Sequence, residues 1–491
     1  MSGSCQKSCK SAGPGYATPE DAVNGPREKF LFVATPSADI DKANDALVTI
    51  DVDPESPTFK TVVSKLIFPH KGDEVHHMGW NACSSCHGCA SVARSHLILP
   101  CLNSSRIYVV DARDPKDLKL ERVIEPEELA AVNVSFPHTA HCLADGNIMI
   151  STLGDAEENN KADFVLIDSK TFRVVGTWAK ENKDLTDIPP KFGYDFWYQP
   201  HHNIMISTEW GTPKNIKRGF VVDDVLQGFY GNKLNVYDWK ERKPIQTITL
   251  EGMEGYLPLE VRFKHDPKSV HAFIGTALGS ALIHVWMDNE NDAQLKHETA
   301  IAIPAKKVTG WLLPEMPSLI TDILISMDDS FLFISNWVHG DIRMYDIRDP
   351  FKIKLVGQAF IGGSIHTETG VEVQDDPELS EQPKALYIQG TKIEGGPQML
   401  QLSLDGKRLY VTTSLYRKWD EMFYPNLAKK GATMVLVDVD NDLNSTSTNR
   451  LKPNPDYLVN FDNIFGDGIT YLAHEMRYPG GDCTSDIFLA K

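Results

Sequence analysis

A chain of 491 residues with 42% apolar and 24% charged side chains has the composition of a protein that buries a large core, which excludes a disordered chain or a disulfide-stapled miniature. Its 67 acidic residues against 49 basic ones leave a formal charge of −18, which disfavours nonspecific binding to nucleic acid or to an anionic membrane. No stretch approaches about 18 uninterrupted apolar residues, and the first residues, MSGSCQKSCKSAGPGYATPEDAV, lack a basic start followed by an apolar core. The cytosol is therefore the expected location.

Residues 1–28 read as an extension packing on or near the body, and residues 29–491 as one domain. Within that domain a single element recurs: a small polar turn, a short β-branched or aromatic run, then a small residue. Its seven copies are FLFVATP from Phe30, HLILPCL from His96, NIMISTLGD from Asn147, NIMISTEWG from Asn203, HAFIGTALG from His271, FLFISNWVHGD from Phe331 and RLYVTTSLY from Arg408. Each is followed by a second run ending near an acidic residue, such as IYVVDARD, FVLIDSKT or IRMYDIRD. Several copies add a strand after a tight turn (FRVVGTWAK, IKLVGQAF), and several have one before an Asp-containing turn (AHCLADG, DILISMDD, LQLSLDG). Four strands per unit and seven units predict an all-β fold, a seven-bladed β-propeller with loop insertions, rather than a long sandwich or a pair of them. The stretches 180–193 and 372–385, rich in Pro, Asp and Glu, read as solvated insertions, and EPEELAAVNV as a short helical turn.

If the strands are numbered outward from a central channel, the loop leading into the first strand and the loop joining second to third lie at one end of the ring. The leading positions are unusually polar or aromatic: His138 and His141, Tyr194 and Trp197, Leu259 and Arg262, Thr321 and Leu324, Gln398 and Gln401. VHHMGW leads into the His96 unit, and LAHEMRYPGGD lies where the ring closes, bringing His474 and Glu475 to the same rim. Second-to-third loops add Glu209, Trp210, His339, Asp341, Tyr416, Trp419 and Asp420 there.

Neutral imidazole is a good ligand for copper, zinc or iron. His77, His138, His141 and His474 form the candidate metal set, with His202 in reserve. His265, His297 and His366 read as solvated. Cys83, Cys86 and Cys89 lie in CSSCHGC, half of a zinc-ribbon pattern without its second pair. Thiol exchange, a sulfur relay beside a metal and plain loop chemistry all stay open for Cys83 and Cys86. No glycine-rich phosphate loop, nucleophile elbow or His-Glu-x-x-His helix occurs, which leaves hydrolysis and nucleotide-dependent transfer unsupported.

The segments HHMGWNACSSC, SSRIYVVD, GYDFWYQP, MISTEWG, KKVTGWLLPEMPSLITDIL, SNWVHGDIR, GGPQMLQLSLDGKRLYVTTSLY and LAHEMRYPGGDC resemble the selenium-binding protein family, whose members include methanethiol oxidases. The resemblance runs along essentially the whole chain. It implies a propeller and a copper-dependent oxidation of methanethiol by oxygen and water to formaldehyde, hydrogen sulfide and hydrogen peroxide. The histidines of the shared motifs fall on His77, His138, His141, His202, His339 and His474. One departure concerns selenium: where vertebrate members place a cysteine after a D-P-x-S-P stretch, this chain has DPESPTFKTVV with Lys60 at or next to that position. His87 and Cys89 also enlarge the loop beyond CSSC.

On this reading copper binds methanethiol as a thiolate, Glu475, Asp322 or Tyr194 moves protons, and Trp80, Trp197 and Trp210 narrow the mouth. Methanethiol and oxygen are the expected partners, with no nucleic acid and no membrane span. The competing reading is a non-enzymatic propeller, a selenium or thiol carrier or a protein scaffold.

Overall fold

The recurring run of each repeat and the run that follows it are apolar without alternation, as strands covered on both faces must be. In the computed structural model, which describes residues 15–182, 190–288 and 294–489, those runs are the middle strands of four-stranded antiparallel sheets. Phe331–Asn336 is buried at every position, whereas the outer strand Val62–Ile67 alternates towards solvent. Seven such sheets occur among the described residues. Their innermost strands are Gly79–Trp80, Ser135–Cys142, Phe196–Gln199, Pro258–Phe263, Ile320–Ile325, Leu400–Leu402 and Met476–Arg477.

An acidic residue at the end of several third strands folds the turn that follows. Asp111, Asp168, Asp238 and Asp346 accept backbone N–H groups two or three residues ahead, the Asx-turn geometry. Asp145, Asp328 and Asp405 do the same in the turn between first and second strands.

Innermost strands of neighbouring sheets touch: Gly79–Trp80 against Ser135–Cys142, and Phe196–Gln199, Pro258–Phe263, Ile320–Ile325, Leu400–Leu402 and Met476–Arg477 each against the next. Hydrogen bonds from Ser151 Oγ to Tyr194 O and from Met78 N to Glu475 link the remaining two junctions. This radial arrangement is a propeller and not a sandwich. The ring closes within one sheet, where Met476–Arg477 from the C-terminal part pairs with Phe30–Thr35. Beyond it, residues 478–488 are buried and reach other sheets: Arg94 pairs with Asp482 and Asp486, His265 Nε2 lies 3.1 Å from Cys483 O, and Gln401 bonds Thr484.

Several sequence expectations change in three dimensions. His265 is buried against Asp329, and His366 is buried too, so neither is a solvated turn residue; His297 is exposed on strand Lys296–Ala302. Glu372–Gln374 pairs with Lys306–Thr309, and Glu378 pairs with Arg343, so the 372–385 stretch is tied to the body. The helical turn is present as Pro126–Ala130. Cys5, Cys9 and residues 183–189 of the other expected insertion lie outside the described residues.

In the channel, Arg262 is the hub of a buried charge group. It pairs with Asp195 and Glu260 at 2.7 Å each and stands 3.7 Å from Asp322. Burial opposes the charge on Asp195, yet Arg262 and the Val261 N–H outweigh it and hold that carboxyl below its usual range. Removing one partner of a buried pair leaves the other charge stranded, at a cost of about 3–5 kcal/mol. Arg262→Met should therefore lower the urea-unfolding free energy by about that amount, and a change under about 1 kcal/mol would show that solvent reaches this group.

Candidate metal centre

Four imidazoles meet where the innermost strands begin. His76 and His77 precede Gly79–Trp80, His138 lies on Ser135–Cys142, and His474 precedes Met476–Arg477. Their nitrogens are brought together by backbone contacts at the ring closure: His474 N donates to Ala34 O, and Val75 N, next to the pair, donates to Asp45 Oδ2 at 2.7 Å. Gly79 is required by close approach, since a Cβ there would lie 2.4 Å from Ala140 O on the strand that carries His138.

The ring centroids of His76 and His474 stack at 3.6 Å, those of His77 and His138 lie 4.1 Å apart, and those of His77 and His474 5.1 Å apart. One ligand atom from each of His76, His77 and His138 lies within 4.8 Å of the others. All four side chains are at most 4% exposed.

Three of the rings are oriented through Nδ1. His77 Nδ1 faces Glu475 Oε1 at 3.0 Å, His138 Nδ1 faces Thr139 Oγ1 at 3.0 Å, and His474 Nδ1 faces Ser414 O at 2.9 Å. Each is left with a buried Nε2 that has no hydrogen-bond partner, and both nitrogens of His76 are in the same state. A buried polar atom without a partner is costly. Five such nitrogens stand on the four imidazoles, and donors of His76, His77 and His138 converge within 4.8 Å; with three of the rings held by an acceptor at the other nitrogen, this is the arrangement of a metal site. Burial, and then the neighbouring imidazoles and Arg477, push His76 and His138 well below the usual histidine range and His77 and His474 down to about 3. All four rings are neutral at ordinary pH, the form that ligates.

Glu475 also accepts from Met78 N and pairs with Arg477. Burial raises its proton affinity against the pull of Arg477. Tyr194 lies with its ring centroid 3.9 Å from that of His138, and Trp210 meets the Tyr194 ring edge-on at 5.3 Å.

A profile of the family described as 56kDa selenium binding protein (SBP56) matches residues 10–489. The chain belongs to this family. The methanethiol oxidase of Xenopus tropicalis is 52% identical over 485 residues, 98% of this chain and 99% of that protein. Selenium-binding protein 2 of Mus musculus is 50% identical with the same coverage. The X-ray structure of a hypothetical selenium-binding protein from Sulfolobus tokodaii matches with a TM-score of 0.82 at 33% identity, covering 97% of this chain and 99% of that one.

In this SBP56 chain the residues expected from sequence divide. His77, His138 and His474 come together, joined by His76, which the sequence reading passed over although it stands beside His77. His141 faces Phe196 and Trp197 at ring distances of 5.1 and 5.3 Å, past a strand irregularity between Pro137 and Ala140, and is not part of the group. His202 sits in the turn Pro200–His202 between first and second strands, the opposite end of the ring, with Nε2 3.2 Å from Lys268 O. His339 is on the correct end but on a second-to-third loop, its Nε2 3.1 Å from Met316 O. Of the tryptophans only Trp210 neighbours the imidazoles' aromatic partners. Trp80 packs on Phe32 and under Arg94, and Trp197 lies under Arg262. Asp322 belongs to the Arg262 group, where burial pushes it up to about 7. Lys60 is at a turn after the third strand, its Nζ donating to Asp456 O, so that position offers selenium no thiol.

Between the ordinary histidine pKa of 6.5 and the folded value of about 3 for His77 and His474, the unfolded chain binds protons that the folded one refuses. Their stabilisation is complete above pH 6.5 and falls as pH drops, by about 1.4 kcal/mol per pH unit for each ring. Unfolding free energies of metal-free protein from urea titrations at pH 7.5, 6 and 5 should include this slope, and the His77→Gln/His474→Gln variant should lose these two rings' share, about 2.8 kcal/mol per pH unit, while His76 and His138 keep theirs.

Proposed function

We propose that this chain is a methanethiol oxidase, converting methanethiol, oxygen and water to formaldehyde, hydrogen sulfide and hydrogen peroxide, with copper held by His76, His77, His138 and His474. The carrying observation is the convergence of buried imidazole nitrogens that lack partners. Relatives about half identical along the whole chain and named methanethiol oxidase support the substrate. Imidazole donors suit copper, zinc and iron, but zinc has no redox chemistry and so cannot serve an oxidation by oxygen. Copper, when bound, supplies a soft Lewis acid that lowers the thiol pKa and carries electrons between substrate and oxygen.

The chain's own residues supply orientation, dryness and proton handling. Glu475 fixes the tautomer and direction of His77, as Ser414 O does for His474. Asp420 in turn accepts from Ser414 Oγ at 2.6 Å and from Leu415 N at 3.0 Å, which holds that carbonyl in place. Burial raises the proton affinity of both Glu475 and Asp322, the latter up to about 7, which suits them to take and return protons. Tyr194 and Trp210 wall the His138 side and favour a substrate no larger than a methyl thiol. Among the described residues five buried cysteines are free.

Hydrogen sulfide release from methanethiol, with bound copper quantified on the same samples, tests this reading. Release should rise in proportion to copper, fall at least about 100-fold in His77→Ala/His138→Ala, and fall about 10- to 100-fold in Glu475→Gln, which keeps the side chain's shape but loses the carboxylate acceptor, with circular dichroism monitoring the fold. Full copper occupancy without release would leave the chain a thiol or selenium carrier.

A further inference from the structure

The channel has a second cluster at its other end. Cys83 and Cys86 lie in the connection between first and second strands, where the short helix Ser84–His87 follows Gly79–Trp80 and puts the two on one side, three residues apart. This is a strand-to-helix setting. Cys142 ends the first strand of the next sheet, 59 residues from Cys83. The Cys83 and Cys142 sulfurs lie 2.7 Å apart and those of Cys86 and Cys142 3.7 Å apart, all three within 4.8 Å of one another. The side chains are 1%, 1% and 5% exposed and form a cluster of their own, separate from the hydrophobic cores.

Three thiols in one buried place are more than a disulfide needs. The nearby cation is Arg94, which pairs with Asp482 at 2.9 Å and Asp486 at 2.6 Å. Burial opposes a charge on Cys83, but hydrogen bonds from Cys142 and Cys86 and the Arg94 guanidinium outweigh it and hold that thiol well below its ordinary range. Cys86 and Cys142 move the other way, pushed up beside Cys83 and by burial.

We propose that Cys83, Cys86 and Cys142 form a binding site for one soft, thiophilic cation, monovalent copper, separate from the imidazole centre. The donor set is sulfur alone, which selects soft ions. Three donors with no fourth His, Cys, Asp or Glu in the group among the described residues suit three-coordinate Cu(I) better than zinc, which takes four. Binding displaces protons from the thiols into solvent, with no change of oxidation state. Sulfurs about 2.3 Å from one ion stand ~4 Å apart. Cys86 and Cys142 are nearly so already, and Cys83 must draw back by about 1 Å from Cys142. The site uses different residues and the opposite end of the channel from the proposed oxidase centre, so either can fail alone.

Reduced full-length protein, held anaerobically, would be titrated with Cu(I) against a competing chelator, following thiolate-to-copper charge-transfer absorption and copper X-ray absorption. Wild type should bind one sulfur-ligated equivalent. It should persist in His77→Ala/His138→Ala and weaken at least 100-fold in Cys142→Ser and in Cys86→Ala. Circular dichroism monitors folding; should Cys142→Ser fail to fold, Cys86→Ala, which leaves the strand untouched, decides. Nitrogen-only ligation in wild type, an unchanged sulfur signal in the folded cysteine variants, or zinc on these sulfurs that excess Cu(I) does not displace would each overturn the assignment. So would a Cys83–Cys142 disulfide in the purified protein that takes up no Cu(I) after reduction.

Discussion

Glu475 is where three distant stretches of chain are made to agree. Its backbone carbonyl accepts from Ala34 N in the first repeat, one carboxylate oxygen accepts from Met78 N in the loop of the next sheet, and the other faces His77 Nδ1 while pairing with Arg477. The residue sits beside the strand that closes the ring, so the bond that closes the fold also aims an imidazole. A carboxylate buried to this degree is tolerated only because its oxygens are occupied. Displacing any of these partners disturbs ring closure and imidazole geometry together.

The channel built on that closure has two chemically different ends. Along Ser135–Cys142 the chain delivers His138 near one end and Cys142 at the other, about 13 Å of strand away at some 3.3 Å per residue. The neighbouring strand does the same, with His76 and His77 ahead of Gly79–Trp80 and Cys83 behind it. Between the two ends lies the Arg262, Asp195, Glu260 and Asp322 group, whose ionised members are paired. Imidazole nitrogen and thiolate sulfur are thereby kept apart by a charged layer, although two adjacent sheets supply most of both.

The strand grammar was legible because a propeller repeats it: all seven copies of the apolar run became second strands, and acidic residues closing several third strands became Asx turns. His138 and His474 were legible because leading positions of inner strands face one channel. His76 was not, because alternation along a strand admits only one of two adjacent residues, and His76 and His77 sit in a loop ahead of the strand where both rings turn inward. His141 failed for a related reason: the strand irregularity between Pro137 and Ala140 breaks the count that placed it on the same face as His138. His339 and His202 were carried by their motifs and not by their position in the sheet.

By itself the sequence determined the all-β repeat architecture, the family and the imidazoles at inner-strand starts, since these depend on local periodicity and turn chemistry. Only the tertiary structure decided which nitrogens meet, that His76 completes the group, and that Cys142 joins Cys83 and Cys86. Those pairings cross sheet boundaries: a residue's height along the channel is written in its own strand, but the height of its neighbour depends on bulges, loop insertions and ring closure elsewhere in the chain.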